Sequence, residues 1–128
     1  MAGPGPYTMD NGRWTNALAL DLSYGAQVPD TTPVYGPVVE VGEKGVCRLT
    51  LTCSAISANT LDVTIETSVN GYDGWRTSQG GAGAGTGAFT QIAAPGAESL
   101  QFLVDRFVRA KYDNGVNSST STVIGEAV

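Results

Sequence analysis

Hydrophobic and polar residues alternate along several short stretches of this chain, most clearly from Leu61 to Trp75, LDVTIETSVNGYDGW. Successive side chains of a strand point to opposite faces, so this period of two predicts a strand with one buried and one solvated face. The buried set is Leu61, Val63, Ile65, Thr67 and Val69, and the solvated set is Asp62, Thr64, Glu66 and Ser68. The Asn-Gly and Asp-Gly pairs that follow accept positive φ and predict a turn, with Tyr72 on the turn and Trp75 in the core.

The same alternation predicts further strands at spacings of about ten residues, with no helical period between them. These strands are predicted at 16–24, 38–41, 46–54, 89–92, 100–104 and 107–112. The run from Gly42 to Gly45 predicts a hairpin between the second and third of them. The Thr-rich segment 118–128 is predicted to be an edge strand or a subunit contact. The predicted fold class is therefore all-β: a single antiparallel β-sandwich, jelly-roll-like, with about eight strands.

Residues 1–15 differ from the rest of the chain, since four of the first six are Gly or Pro. This composition predicts no regular element but an extended N-terminal arm, followed by a β-sandwich domain over 16–128. The side chains of the arm that we expect to contact protein are Tyr7, Met9, Arg13 and Trp14. The Gly-rich run 80–87 is predicted to be a loop.

The composition indicates one domain with surfaces suited to contact. A chain of 128 residues most simply forms a single domain. Hydrophobic residues make up 41% and charged residues only 15%, which is low in charge for the surface of a monomer. The net charge of −5 offers no broad cationic surface, so nucleic-acid binding is not expected. The apolar runs are short and the N-terminus lacks the pattern of a secretion signal, so neither a membrane span nor export is expected.

The residue types needed for common enzymatic chemistry are scarce. The chain contains no His, which excludes Ser-His-Asp and Cys-His catalysis and His-ligated zinc. Cys47 and Cys53 fall on one face of a single predicted strand, roughly 20 Å apart. A disulfide needs Cα atoms within about 7 Å. We therefore expect two buried free thiols, which suit a reducing compartment.

The remaining candidate sites are weak. Asp62 and Glu66 would lie about 13 Å apart on one strand, beyond the geometry of a glycosidase pair, and are interpreted as a solvated surface. Asp73 lacks the further ligands of a calcium loop and is interpreted as part of a turn. Residues 83–88 match a relaxed dinucleotide pattern, but a strand rather than a helix is predicted after them. No catalytic residue, cofactor or metal is therefore predicted, and we expect a protein that is not an enzyme.

The order of these segments resembles a known group of proteins. The chain carries in succession VCRLTLTCSA, LDVTIETS, a G-x-D-G-W turn, FTQI, DRFVRAKY and a closing GEAV. Over residues 38–128 it resembles small all-β virion structural proteins of tailed bacteriophages, such as capsid decoration or cement proteins and minor head or tail proteins. The Gly-rich run 80–87 departs from their usual pattern.

This resemblance implies a non-enzymatic virion protein, assembled in the host bacterial cytoplasm. The leading expectation is a capsid decoration protein that binds the outer surface of a phage head and stabilises it. The implied partners are the major capsid protein and copies of the chain itself, as a homo-oligomer for which a trimer is one candidate. A tail or neck component is the nearest alternative. A carbohydrate-binding module is another, because Trp14, Tyr72 and Trp75 could form a platform for sugar rings.

Overall fold

The structure, a computed structural model, describes residues 7–10, 13–27, 32–57, 60–82, 85–114 and 118–128. These residues form thirteen strands and no helix, which confirms the predicted all-β class. The count exceeds the predicted eight because several connections contain paired segments of two to four residues. Of the Gly-rich run 80–87, residues 83 and 84 lie outside the described residues.

The first two strands form a sheet of their own. Strand β1 (Tyr7–Asp10) pairs antiparallel with β2 (Arg13–Asn16). The prediction that residues 1–15 contain no regular element is therefore wrong. Their role as an arm stays a prediction.

The larger sheet has six strands, and all its pairs are antiparallel. Its members are β3 (Leu18–Asp21), β4 (Gly25–Gln27), β7 (Val46–Ile56), β10 (Gln79–Gly80), β11 (Gly96–Leu103) and β13 (Ser119–Ala127). Their order is β10-β11-β7-β13-β3, and β4 also pairs with β13. Strand β7 thus lies between two long neighbours.

The smaller sheet has five strands, also antiparallel throughout. Its members are β5 (Val34–Tyr35), β6 (Val39–Glu40), β8 (Asp62–Ser68), β9 (Arg76–Thr77) and β12 (Phe107–Asp113). Their order is β5-β12-β8-β9, and β6 also pairs with β12. The strand predicted at 89–92 is present only as an isolated bridge between Ile92 and Leu61, beside a second bridge between Ala88 and Thr64.

One hydrophobic core joins the two sheets. The buried side chains of β7 alternate with exposed or half-buried ones. Those of β12, and of β8 as far as Thr67, alternate mainly with half-buried ones. Both sheets contribute to a single cluster that includes Leu49, Leu51, Phe102 and Val123 from the larger sheet and Val63, Ile65, Val108 and Tyr112 from the smaller one. Two layers around one shared core are what a β-sandwich requires.

Tyr112 also links the layers by a hydrogen bond. Its side chain is fully buried, and its hydroxyl donates to the carbonyl of Leu22 at 2.7 Å. Leu22 directly follows β3, a strand of the opposite sheet. Burial raises the pKa of Tyr112, so the hydroxyl keeps the proton that it donates.

The predicted alternation of β8 is confirmed as far as Thr67 and is wrong beyond it. Leu61, Val63, Ile65 and Thr67 are buried, whereas Val69 is 72% exposed and Ser68 is buried. The strand ends at Ser68 because this side chain bonds to the turn that follows. The period of two therefore stops one residue before the turn.

The hairpin predicted around Gly42 to Gly45 is wrong. The turn itself is present, since Lys44 N–H donates to the carbonyl of Val41 at 3.2 Å. However, β6 pairs with β12 while β7 pairs with β11 and β13, so the turn crosses from one sheet to the other. A turn sequence predicts a reversal of the chain but does not determine which strands then pair.

Of the two interpretations of 118–128, the edge strand is wrong, and the subunit contact stays a prediction. Strand β13 lies between β7 on one side and β3 and β4 on the other. Its inward residues Ser121, Val123 and Ala127 are buried. Small residues allow the close approach, since a Cβ atom on Gly125 would lie 1.9 Å from the carbonyl oxygen of Arg48.

Gly125→Ala is expected to destabilise the fold by about 1–3 kcal/mol, because the added methyl group would push β13 away from β7. Gly45→Ala is the matched control, since a Cβ atom there would meet nothing within 4 Å. We expect the control to change stability by less than about 0.5 kcal/mol. Urea unfolding midpoints measure both changes, and equal midpoints for the two variants would contradict the described pairing.

The cysteines lie where the sequence predicts them. Cys47 and Cys53 are free, buried and on β7. Loss of solvation on burial raises the pKa of the Cys47 thiol from its usual 9.0 to about 12.

A thiol reagent such as Ellman's is therefore expected to label neither cysteine of the native protein at about pH 8, and to label both once the chain is unfolded. The raised pKa of Cys47 also predicts a pH dependence. Its contribution to stability is fully present below pH 9.0 and is lost as the pH rises towards about 12. Rapid labelling of the native protein would show that the strand opens far more often than a packed core allows.

Candidate functional site

The outer face of the smaller sheet is organised around Arg109 of β12. The strand register places Arg109 opposite Glu66 of β8. The guanidinium donates to Glu66 Oε1 from Nε at 2.9 Å and from Nη2 at 2.8 Å. The two side chains are only 19% and 14% exposed. The sequence predicted that Glu66 belongs to a solvated surface, and this prediction is wrong. Glu66 forms a largely buried ion pair with Arg109.

Two aromatic rings enclose the same guanidinium. Arg109 Cζ lies 4.0 Å from the ring centroid of Tyr35 and 4.1 Å from that of Trp75. Tyr35 is brought there by β5, which pairs with β12, and Trp75 by the turn after β8. Guanidinium groups are weakly hydrated and stack well on aromatic faces.

The prediction that Trp75 belongs to the core is therefore wrong. Trp75 is partly buried, but against Arg109 on the outer face of the sheet. A tryptophan after a turn can pack on either face of a sheet. The Trp75 ring packs on the outer face because the guanidinium of Arg109 makes a favourable cation–π contact with it there.

The Arg109 cluster, formed by Arg109, Glu66, Tyr35 and Trp75, pairs its charges internally, and the guanidinium covers one face of each ring. Arginine stays protonated at physiological pH, and its charge is matched by the carboxylate it touches. The cluster is therefore suited to holding the neighbouring chain in place rather than to acid–base chemistry. What it holds is the turn between Ser68 and Trp75.

Side-chain hydrogen bonds fix this turn from within. Ser68 Oγ donates to the carbonyl of Asp73 at 2.6 Å and accepts from the N–H of Gly71 at 3.1 Å. Asn70 Oδ1 accepts from the N–H groups of Tyr72 and Asp73 at 3.1 and 3.0 Å. Asn70 Nδ2 also donates to the Asp73 carboxylate. Such side-chain bonds to nearby backbone are what make Asn and Ser effective turn residues.

The fixed turn displays two large apolar side chains. Tyr72 is 79% exposed and Val69 is 72% exposed. The prediction that Tyr72 lies on the turn is confirmed. Exposed aromatic side chains held by a rigid backbone are typical anchors of protein interfaces, because little conformational freedom remains to be lost on binding. We call Val69 to Asp73 the contact turn.

The N-terminal hairpin joins the two-sheet domain at the end that bears the contact turn. A single residue, Ala17, separates β2 from β3. Leu18, the first residue of β3, pairs with Ala127 of β13, and Ala127 pairs with Cys47 near the start of β7. The loop before β7 leads back to β6, whose partner is the first residue of β12, Phe107. Phe107 pairs with Ser68, where the contact turn begins.

The four residues predicted to contact protein lie on the paired strands of the hairpin. Met9 is opposite Trp14, Asp10 is opposite Arg13, and Tyr7 is opposite Asn16. Their contact with a partner stays a prediction. The sequence missed Val69 as an exposed residue and Arg109 as the centre of a cluster. The alternation around Arg109 indicates that its side chain faces outward, but no local pattern predicts the strand register that places it opposite Glu66.

Within the described ranges, no group of three or more acidic or cysteine side chains could hold a metal ion. Nor does the described part of the chain contain a helix long and apolar enough to cross a membrane. Comparisons with known protein families, curated proteins and solved structures find no match to this chain.

Arg109→Met is expected to lower stability by about 1–3 kcal/mol, because it removes two ring contacts and leaves Glu66 without its cation. Combined with Glu66→Gln, it should show a coupling energy of about 1 kcal/mol. Arg106→Met is the control, since Arg106 and its partner Glu40 are 59% and 47% exposed. Such an exposed pair is expected to contribute less than about 0.5 kcal/mol. Equal losses for the two arginine variants would show that the Arg109 cluster does not hold the fold.

Proposed function

We propose that this chain is a non-enzymatic virion structural protein that decorates the outer surface of a phage head and stabilises it. The observation that carries the proposal is the contact turn, in which internal hydrogen bonds hold Val69 and Tyr72 out into solvent. The resemblance of residues 38–128 to virion proteins of tailed phages supplies the identity of the partner. The jelly-roll connectivity is part of the same proposal.

The charges of the chain support a role in contact. In the described part of the chain, four of the seven basic residues form ion pairs with carboxylates, among them Arg109–Glu66, Arg76–Asp105 and Arg106–Glu40. Paired charges lower the net field of the surface and leave apolar groups as the main source of binding energy. A decoration protein that resists pressure from within a head also needs a rigid scaffold, and the shared core provides one.

Two alternatives share part of this support. A tail or neck component would use the same contact turn, and its copy number in the particle distinguishes it from a decoration protein. A carbohydrate-binding module receives less support, because one face of the Trp75 ring is covered by Arg109. Among the aromatic residues considered for a sugar platform, Tyr72 is the one whose side chain is shown to be widely exposed.

The test uses heads of the phage that encodes this chain, stripped of it and mixed with purified protein. We expect the wild type to sediment with the heads. The double variant Val69→Ser/Tyr72→Ala should bind roughly 30-fold more weakly, as loss of an interface anchor worth about 2 kcal/mol implies. Its unfolding midpoint should stay close to that of the wild type, since both side chains are exposed.

Ile124→Ser is the matched control, because Ile124 is 49% exposed but lies on the outer face of β13. It should bind heads as the wild type does. Failure of the wild type to bind heads, together with its absence from particles, would overturn the decoration role. Binding to a glycan array but not to heads would favour the carbohydrate-binding alternative.

A further inference from the structure

Strand β11 presents an unpaired edge along most of its length. On one side it pairs with β7 over all eight residues, Gly96–Leu103. On the other side β10 reaches only Phe102 and Leu103. Among the described residues, no strand continues this pairing towards Gly96. The other outermost strands of both sheets have four residues or fewer.

The backbone direction along this edge follows from one hydrogen bond. Gly81 N–H donates to the carbonyl of Gln101 at 2.8 Å, so the Gln101 backbone points away from β7. Backbone groups alternate between the two sides of a strand. Ser99 and Ala97 therefore also direct their N–H and C=O groups away from β7. Together they present two donors and two acceptors in the spacing of an antiparallel ladder.

A cleft of about 230 Å³ lies beside these groups. Leu51 of the core contributes to its lining, and Ala93, Ala94, Gly96 and Ala97 contribute small side chains or none. The cleft runs between β11 and the segment in which Ile92 pairs with Leu61, the residue before β8. Small side chains leave room for the residues of an added strand.

The charge around the cleft is negative. Glu98 lines it, with Oε1 accepting from the N–H of Thr90 at 2.8 Å and Oε2 from its hydroxyl at 2.7 Å. Asp62 lies close by, since its carboxylate accepts from the side chain of Gln91, another residue of the lining, at 3.0 Å. No Lys or Arg is among the residues that line the cleft.

This charge disfavours a second copy of the chain as the occupant. Two β11 edges could join antiparallel by matching Ala97 of one copy with Ser99 of the other. That register would place the two Glu98 residues directly opposite each other. Like charges in that position are destabilising, and each copy already carries a net charge of −5.

We propose that the β11 edge receives an extended strand from a different partner protein, with a Lys or Arg opposite Glu98 and small or apolar residues on either side of it along the same face. The strand would continue the line of β10 and add backbone hydrogen bonds to Ala97 and Ser99. Strand addition to a free sheet edge is a general mode of peptide recognition. The proposal stands whether or not the partner belongs to a phage head.

The test measures amide hydrogen exchange of the full chain by NMR, with two acetylated peptides as probes. One is Thr-Ala-Thr-Lys-Thr-Val-Thr, and the other has Glu in place of Lys. The lysine peptide should slow exchange at Ala97 and Ser99 and bind about fivefold more tightly than the glutamate peptide, given opposite rather than like charges. Amides paired with β7, such as that of Leu100, should not change.

Two variants make the result specific. Glu98→Gln keeps an acceptor for Thr90 but removes the charge, so the fivefold preference for lysine should disappear. Ala97→Pro removes an N–H group that points away from β7, and edge strands tolerate proline at such positions. This variant should bind both peptides more weakly. Its unfolding midpoint should show that the fold persists.

Three results would overturn the proposal. The first is slow exchange at Ala97 and Ser99 in the free, dilute protein, which would mean that the edge is already paired. The second is protection that rises with protein concentration alone, which would make a second copy the occupant. The third is no change at these amides with the lysine peptide at about 5 mM, where even a millimolar Kd is detectable.

Discussion

The hydrogen bond from the buried hydroxyl of Tyr112, near the end of β12, to the carbonyl of Leu22 joins the two sheets. Hydrophobic burial is not directional, whereas this bond requires one position of Tyr112 relative to Leu22 and so adds specificity to the packing of the two sheets. The orientation of Tyr112 also determines which residues of β12 lie on the outer face of the sheet. Because Tyr112 and Ala110 face inward, Arg109 must face outward, where it meets Glu66, Tyr35 and Trp75. The same strand thus sets the core and the outer cluster.

The Arg109 cluster in turn restricts the conformation of the segment that follows β8, from Ser68 to Trp75. Trp75 is held over the guanidinium, and Ser68 is held by the end of β8, so both ends of the contact turn are fixed to the same sheet. The hydrogen bonds of Asn70 then settle the turn between these two points. Exposure of Tyr72 is therefore a property of the fold rather than of a loosely held loop. An aromatic side chain fixed in this way loses little conformational entropy on binding, which is the requirement for an efficient contact residue.

The sequence predicted which face of the long strands is buried, but it did not predict which strands pair with one another. The difference has a physical reason. Alternation reports which side of a strand meets the core, so the inward residues of β7, β8 and β12 and the free state of Cys47 could be read directly. Pairing depends on residues far apart in the chain, so no local pattern indicates that β6 joins β12 or that β13 lies inside its sheet. The same limit applies to the Arg109 cluster, whose members come from three separate segments. Only the Asn-Gly and Asp-Gly turn, which is local, predicted the exposed position of Tyr72.

The contact turn and the open edge of β11 lie at different places on the two-sheet domain. The last residue of β11, Leu103, lies at the end of the domain that bears the contact turn. The unpaired residues of β11, Ala97 and Ser99, lie near its first residue, Gly96, towards the other end. The two surfaces also differ in chemistry, since one offers apolar side chains and the other offers backbone groups beside an acidic cleft. A protein that stabilises an assembly must touch at least two neighbours, because a single contact adds mass to a shell without linking its parts. Under the proposed function, two separate surfaces with different requirements would meet that condition and would allow each neighbour to be selected independently.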